Sequence, residues 1–277
     1  MKVKNINLEP AALLAEVVGT FVLATVALTI GQPLLVGLTL VVLIFTIASV
    51  SGAHVNPLVT FGLWSVKKFE GIKVPFYWAA QFAGALFALV AVQLYRGDSL
   101  AISFSNFWQF DTKIAVAELI GAAIFALAIT SVVQRKQVEA VKAAAIGLGL
   151  MAGLYVGGGL LNQAAQNVSL TQKEAPRVTQ VDGVVVNPAI ALAATEKADQ
   201  GLQQSFLGGE DEKKADATPS SRLGLETILG SLVGAALGAN LYMVLVGENP
   251  FKKKSTPAKV AAKVKTTVKK TAKKAKK

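Results

Sequence analysis

Ser51-Gly52-Ala53-His54-Val55-Asn56-Pro57-Leu58-Val59-Thr60 closes one long apolar run and opens a much shorter one. The change falls at Asn56-Pro57. Proline brings a preset φ and no N–H, both harmless at the first position of a helix, and asparagine is a good N-cap. The pair therefore predicts a helix that starts abruptly after a loop and covers 56–66, where Lys67 and Lys68 follow. That is roughly half of the ~20 residues a helix needs to cross the hydrocarbon core. A second segment of this kind begins at Asn187-Pro188 and covers 187–195. A third pair, Asn249-Pro250, follows the last apolar run and reads as a plain helix stop.

Around these short segments lie six runs long enough to span a bilayer: 11–30, 34–50, 75–95, 114–133, 141–161 and 223–246. Only 16% of the 277 residues are charged and 53% are hydrophobic, where soluble domains carry about a quarter charged. With a mean hydropathy of +0.51, the solvent of this chain is mostly lipid. Helices fit such runs because they satisfy their own backbone hydrogen bonds. Small residues such as Gly84, Gly121, Gly147 and Gly230 allow the close crossings that set helix packing in lipid. The residues before the first run are polar, with Lys2 and Lys4. That run is longer than a signal-peptide core of roughly 7–15 residues, so the first span is expected to stay in the protein.

The chain repeats itself. Ala15-Glu16-Val17-Val18-Gly19 opens the first span and Ala117-Glu118-Leu119-Ile120-Gly121 opens the fourth. Each half runs span, span, Asn-Pro half-helix, span, and an odd number of spans inverts the second half relative to the first. Short apolar segments at matching places in two halves point to an inverted repeat with its site near the midplane. The fold class expected is an all-α membrane protein, six transmembrane helices plus two half-helices. The halves are 11–96 and 113–248 of a domain covering 11–248, with residues 1–10 before it and 249–277 behind. Polar insertions near 162–182 and 196–221 flank the second Asn-Pro pair. Lys2, Lys4, Lys67, Lys68, Lys73, Arg135, Lys136 and Lys142 fall on one side. By the positive-inside rule both termini are expected to be cytoplasmic, in a plasma (inner) membrane.

The stretch around Asn56 resembles the first signature of the aquaporin and aquaglyceroporin (major intrinsic protein) family, SGxHxNPAVT. Val186-Asn187-Pro188-Ala189 is similar to the second, and Gly37-Leu38-Thr39, Ala80-Gln81 and Gly84-Ala85 fit spans of a divergent, prokaryote-type member. The resemblance implies a homotetramer of passive channels for water or small neutral solutes, with a pore motif of Asn56, Pro57, Leu58, Asn187, Pro188 and Ala189. Two half-helices meeting at their N-termini aim positive dipole ends at the bilayer centre, where the two carboxamides donate to solute and the potential repels cations. His54 is expected either to line the pore beside Asn56 or to be a satisfied packing histidine.

Two departures bear on selectivity. Leu58 replaces the alanine of the first motif, and Ile190 stands where the family places the arginine of its narrow outer filter. Family spacing puts Val36 and Leu154 at the other filter positions, so a filter of Val36, Leu154 and Ile190 would be apolar. It favours solutes that are glycerol-like or less polar. The intramembrane acids Glu16 and Glu118 read either as a paired acid and base or as structural acceptors for the loops carrying the half-helices. Their matched positions favour the second.

Other functions find little to stand on. The chain has no cysteine and one histidine, which leaves no thiolate or histidine metal set, no cysteine nucleophile and no Ser-His triad, and no cofactor or enzyme activity is expected. Gly157-Gly158-Gly159 lacks the lysine of a phosphate loop and reads as a flexible helix end. The net charge of +11 belongs to the segment 251–277, which has twelve lysines and no acid. That tail is expected to be disordered, and it suits anionic lipid, worth about 1 kcal/mol per nearby lysine, or nucleic acid, or no partner. The competing reading is a closed-pore structural or tethering protein on the same fold.

Overall fold

A computed structural model of the protein describes residues 8–168, 176–196 and 220–248. The tail, most of the second polar insertion and residues 169–175 of the first lie outside the described residues. Among the described residues eight α-helices follow in order: α1 (Pro10–Thr29), α2 (Pro33–Ser51), α3 (Pro57–Ser65), α4 (Val74–Arg96), α5 (Thr112–Gln134), α6 (Glu139–Gln166), α7 (Pro188–Ala193) and α8 (Leu225–Leu245). Among the described residues, six of these are long and apolar enough to cross a membrane. Strand pairing among the described residues is limited to two isolated bridges, Ser103 with Ser220 and Thr195 with Ser221. The protein is an integral membrane protein.

Proline sits in the first turn of α1, α2, α3, α4 and α7, where its missing N–H leaves no bond unmade. Asp111 caps α5, its Oδ1 accepting from the Lys113 amide at 2.8 Å. The helix starts are thus written locally, while the long apolar bodies acquire their partners in space.

Those partners obey one rule. Exchanging α1 with α5, α2 with α6, α3 with α7 and α4 with α8 leaves the pattern of packing unchanged. Thus α1 packs on α4 as α5 does on α8, α1 on α2 as α5 on α6, and α3 on α8 as α4 on α7. Of the self-related pairs α2 against α6 and α3 against α7, the first is the more extensive seam between the halves. A β-carbon on Gly37 would lie 2.6 Å from the Gly147 carbonyl oxygen, and one on Gly147 would lie 2.6 Å from that of Gly37. The seam closes only because neither residue has a side chain.

α6 departs from expectation. It runs to Gln166, so residues 162–166, assigned above to a polar insertion, are its last turn, and Gly157-Gly158-Gly159 is helix interior rather than a helix end. Packing overrides the poor propensity of glycine here. A β-carbon on Gly157 would sit 2.9 Å from the Ala117 carbonyl oxygen, so α6 passes α5 too closely for any other residue.

Candidate functional site

The two half-helices begin in the same way. Asn56 caps α3, its Oδ1 accepting from the Leu58 amide at 2.9 Å; Asn187 caps α7, accepting from Ala189 at 3.0 Å and Ile190 at 3.3 Å. Each carboxamide then reaches across to the other loop. Asn56 Nδ2 donates to the Val186 carbonyl at 2.8 Å, and Asn187 Nδ2 donates to the Val55 carbonyl at 3.1 Å. A carboxamide NH2 has two hydrogens, so each keeps one N–H beyond this clasp. Both asparagines are buried.

The residues just before them carry strain. Val55 has φ +45° and Val186 φ +52°, a region that β-branched residues rarely enter. Such a conformation persists only where its surroundings over-determine it. In the first loop that constraint is Glu16, on α1. Its Oε1 accepts from Ser51 Oγ (2.7 Å) and the His54 amide (2.9 Å), and its Oε2 from the Val55 amide (2.7 Å) and Gln81 Nε2 (2.7 Å). Gln81 also donates to Thr60 Oγ1, which meets His54 Nδ1 at 3.1 Å. The His54 ring is buried against Phe69 and Tyr77, with centroids 4.7 Å and 5.2 Å away. Leu58 is fully buried, and Pro57 offers its carbonyl to Trp78 Nε1 at 3.1 Å.

Glu118, on α5, occupies the matching place. It accepts from the Val185 and Val186 amides, both at 2.8 Å. Its remaining neighbour is ionic: Arg222 Nη2 lies 3.6 Å from Oε1 and donates to the Gly183 carbonyl at 2.9 Å. Behind them Arg177 pairs with Glu196 at 2.5 Å and with Glu226 at 2.7 Å, all three buried. Arg177 also donates to the Gln109 carbonyl, and Asn106 Nδ2 donates to Glu196 Oε2 at 2.7 Å, which ties the α4–α5 connection to this cluster. Burial pushes the Arg222 guanidinium below its ordinary value, against the opposing pull of Glu118 and Glu196. For Arg177 burial acts the same way, but its bonds to Glu196 and Glu226 outweigh it and raise the value. Arginine keeps its charge in proteins, so both are cations.

A cavity of about 480 Å³ opens at the α1–α2 turn and the end of α6. Leu154, Asn162, Asp182, Val184, Val185 and Arg222 are among its walls, so the loop that leads to Asn187 forms its floor. Of the three expected filter residues, Leu154 faces this cavity. Val36 and Ile190 are buried, 5% and 3% exposed, in the apolar core against which Leu154 also packs. Pro188 and Ala189 are buried at the start of α7. Sequence reading missed Arg177, Arg222, Glu196 and Glu226, which looked like ordinary charges at the edges of polar insertions. The available signal was their apolar setting: Arg222 stands directly before a membrane span, and Glu226 inside it.

Two half-helices joined by reciprocal asparagine bonds, inside a six-span inverted repeat, define a helical membrane protein with a re-entrant motif from each half. The chain belongs to the major intrinsic protein family, whose sequence profile matches residues 4–171 and so ends short of Asn187. It is 48% identical over 59 residues to Aquaporin NIP2-1 of rice, Oryza sativa subsp. japonica, covering 21% of this chain and 20% of that protein. It is 30% identical over 135 residues to Aquaporin Z of Photorhabdus laumondii, covering 44% and 58% of the two chains. These matches span less than two thirds of the relatives' own length. The X-ray structure of the aquaglyceroporin from Plasmodium falciparum shares the fold, with a TM-score of 0.55 at 23% identity over 85% of this chain and 96% of that one.

Proposed function

We propose that the protein is a passive channel for water and small neutral solutes, glycerol-like or less polar. The observation that carries this reading is the asparagine pair. Two buried carboxamides on facing helix starts each hold one N–H bond to the opposite loop and keep a second N–H for a passing oxygen. A hydroxyl or water oxygen accepts there, while the positive ends of α3 and α7 disfavour a cation. The names borne by the relatives, aquaporin and aquaglyceroporin, agree with this class of solute.

Within this reading Val36, Leu154 and Ile190 form an apolar filter, His54 lines the path beside Asn56, and Glu16 and Glu118 are structural acceptors rather than an acid–base pair. The four backbone amides that these acids hold support the last assignment. Both termini face the cytoplasm, the cavity beside Arg222 opens on the other side, four copies assemble with one pore each, and the lysine tail meets anionic lipid. Stopped-flow light scattering on proteoliposomes containing the full chain tests the reading. Water, glycerol or urea should equilibrate faster than in empty vesicles; if all three match empty vesicles, the channel reading fails.

A further inference from the structure

Arg222 is an unusual residue to find buried in the wall of this cavity. Only 3% of it is exposed, yet it lines the cavity that leads to the Asn187 loop. A guanidinium has five N–H donors. Among the described residues this one makes a single hydrogen bond, Nη2 to Gly183, and its Nη1 has none, the nearest carboxylate oxygen (Glu196 Oε1) lying 3.9 Å away. A buried donor left unmade costs about 1–3 kcal/mol, so a structural strut alone explains this side chain poorly.

The arrangement of the neighbouring charges gives a reason. Arg177 takes up Glu196 and Glu226 at ion-pair distance, and both Glu118 oxygens are occupied by backbone amides. Arg222 is the cation among the described residues of the cavity wall, whereas Glu118, Glu196 and Glu226 stand behind it. Asp182, the acid in the same wall, is engaged in an interaction of its own. An ion entering the cavity therefore meets the guanidinium before it meets Glu118, Glu196 or Glu226. Without Arg222 the group of Arg177, Glu118, Glu196 and Glu226 would hold one cation against three acids, and the mouth would attract cations.

We propose that Arg222, delivered by the segment leading into α8, is the principal barrier to cations in this pore and so a specificity-determining residue. The apolar Ile190 leaves this role open at the position directly after Asn187-Pro188-Ala189. The inference rests on the channel reading above, and one experiment separates the two. Proteoliposomes of the full-length protein carry an entrapped pH-sensitive dye, and proton entry under an imposed potential is recorded beside water flux by light scattering.

Wild type should conduct water and hold protons at the level of empty vesicles. Arg222→Leu should still conduct water but leak protons about tenfold faster, equivalent to ~1.36 kcal/mol off the barrier. Arg222→Lys, which keeps the charge, should restore tightness. Should Arg222→Leu fail to insert, Arg222→Gln, which keeps a donor for Gly183, takes its place with the same expected leak. The inference falls if the neutral variant conducts water and stays proton-tight, or if the lysine variant leaks as much as the leucine one. Wild type that conducts no neutral solute overturns the channel reading, and this inference with it.

Discussion

Glu16 and Glu118 hold their loops by matching bonds, each accepting from the amides one and two residues before its asparagine. Their surroundings differ. Glu16 sits among neutral donors, Ser51 and Gln81, with Thr60, Tyr77 and His54 close behind. Glu118 sits beside Arg222 and, through it, near Arg177, Glu196 and Glu226. The backbone geometry of a re-entrant loop thus needs a buried acceptor and strained residues before the asparagine. It does not prescribe how that acceptor's charge is met. The first half uses hydrogen bonds between side chains, and the second uses ion pairs that also knit its loops to the α4–α5 connection.

The largest expected effect comes from removing the neutral hub. Glu16→Ala orphans four donors, and at about 1–3 kcal/mol each the protein should lose about 4 kcal/mol or more. Thermal unfolding in detergent reads the loss; under about 1 kcal/mol, water would be replacing the carboxylate and the hub would be dispensable. The ionic hub is tested by a double-mutant cycle. Glu118→Gln with Arg222→Gln should show coupling of about 2 kcal/mol, while Glu16→Gln with Arg222→Gln should be additive within about 0.5 kcal/mol. Equal couplings would erase the distinction between the two halves.

Asn56→Ala and Asn187→Ala should each cost about 1 kcal/mol as lost caps and a further ~1–3 kcal/mol for the buried Val186 or Val55 carbonyl left without its donor, with a parallel fall in water flux. A clear inequality between the two asparagine variants would break the symmetry of the clasp. The seam between the halves should respond less. Gly147→Ala places a methyl 2.6 Å from the Gly37 carbonyl oxygen, at a cost of about 1–3 kcal/mol from overpacking. Gly159→Ala, with open space around it, should instead stabilise α6 by up to about 1 kcal/mol.

Much of the fold was legible because hydropathy and helix-start chemistry are local. Five of the six spans begin and end within two residues of their apolar runs, and both half-helices start at their Asn-Pro pairs. α6 was the exception, since Gln163, Ala164, Ala165 and Gln166 are good helix formers that extend it past its apolar body despite the polar Asn162. The site was legible in part. Asn56, Asn187, Glu16 and Glu118 announce themselves by repetition, the last two as matched acids inside apolar runs. The ionic cluster does not, because Arg177, Glu196, Arg222 and Glu226 are scattered over two segments and repeat nothing in the first half.

The sequence by itself determined the six spans, the two half-helices and the twofold plan, because each follows from local apolar length and from proline and asparagine at a helix start. Tertiary structure decided what each asparagine touches, why Val55 and Val186 tolerate positive φ, and which charges gather beside the cavity. Those depend on groups up to 132 residues apart, as in the bond from Asn187 to Val55. No local preference specifies such a pairing; it forms only when buried donors and acceptors have no water to turn to.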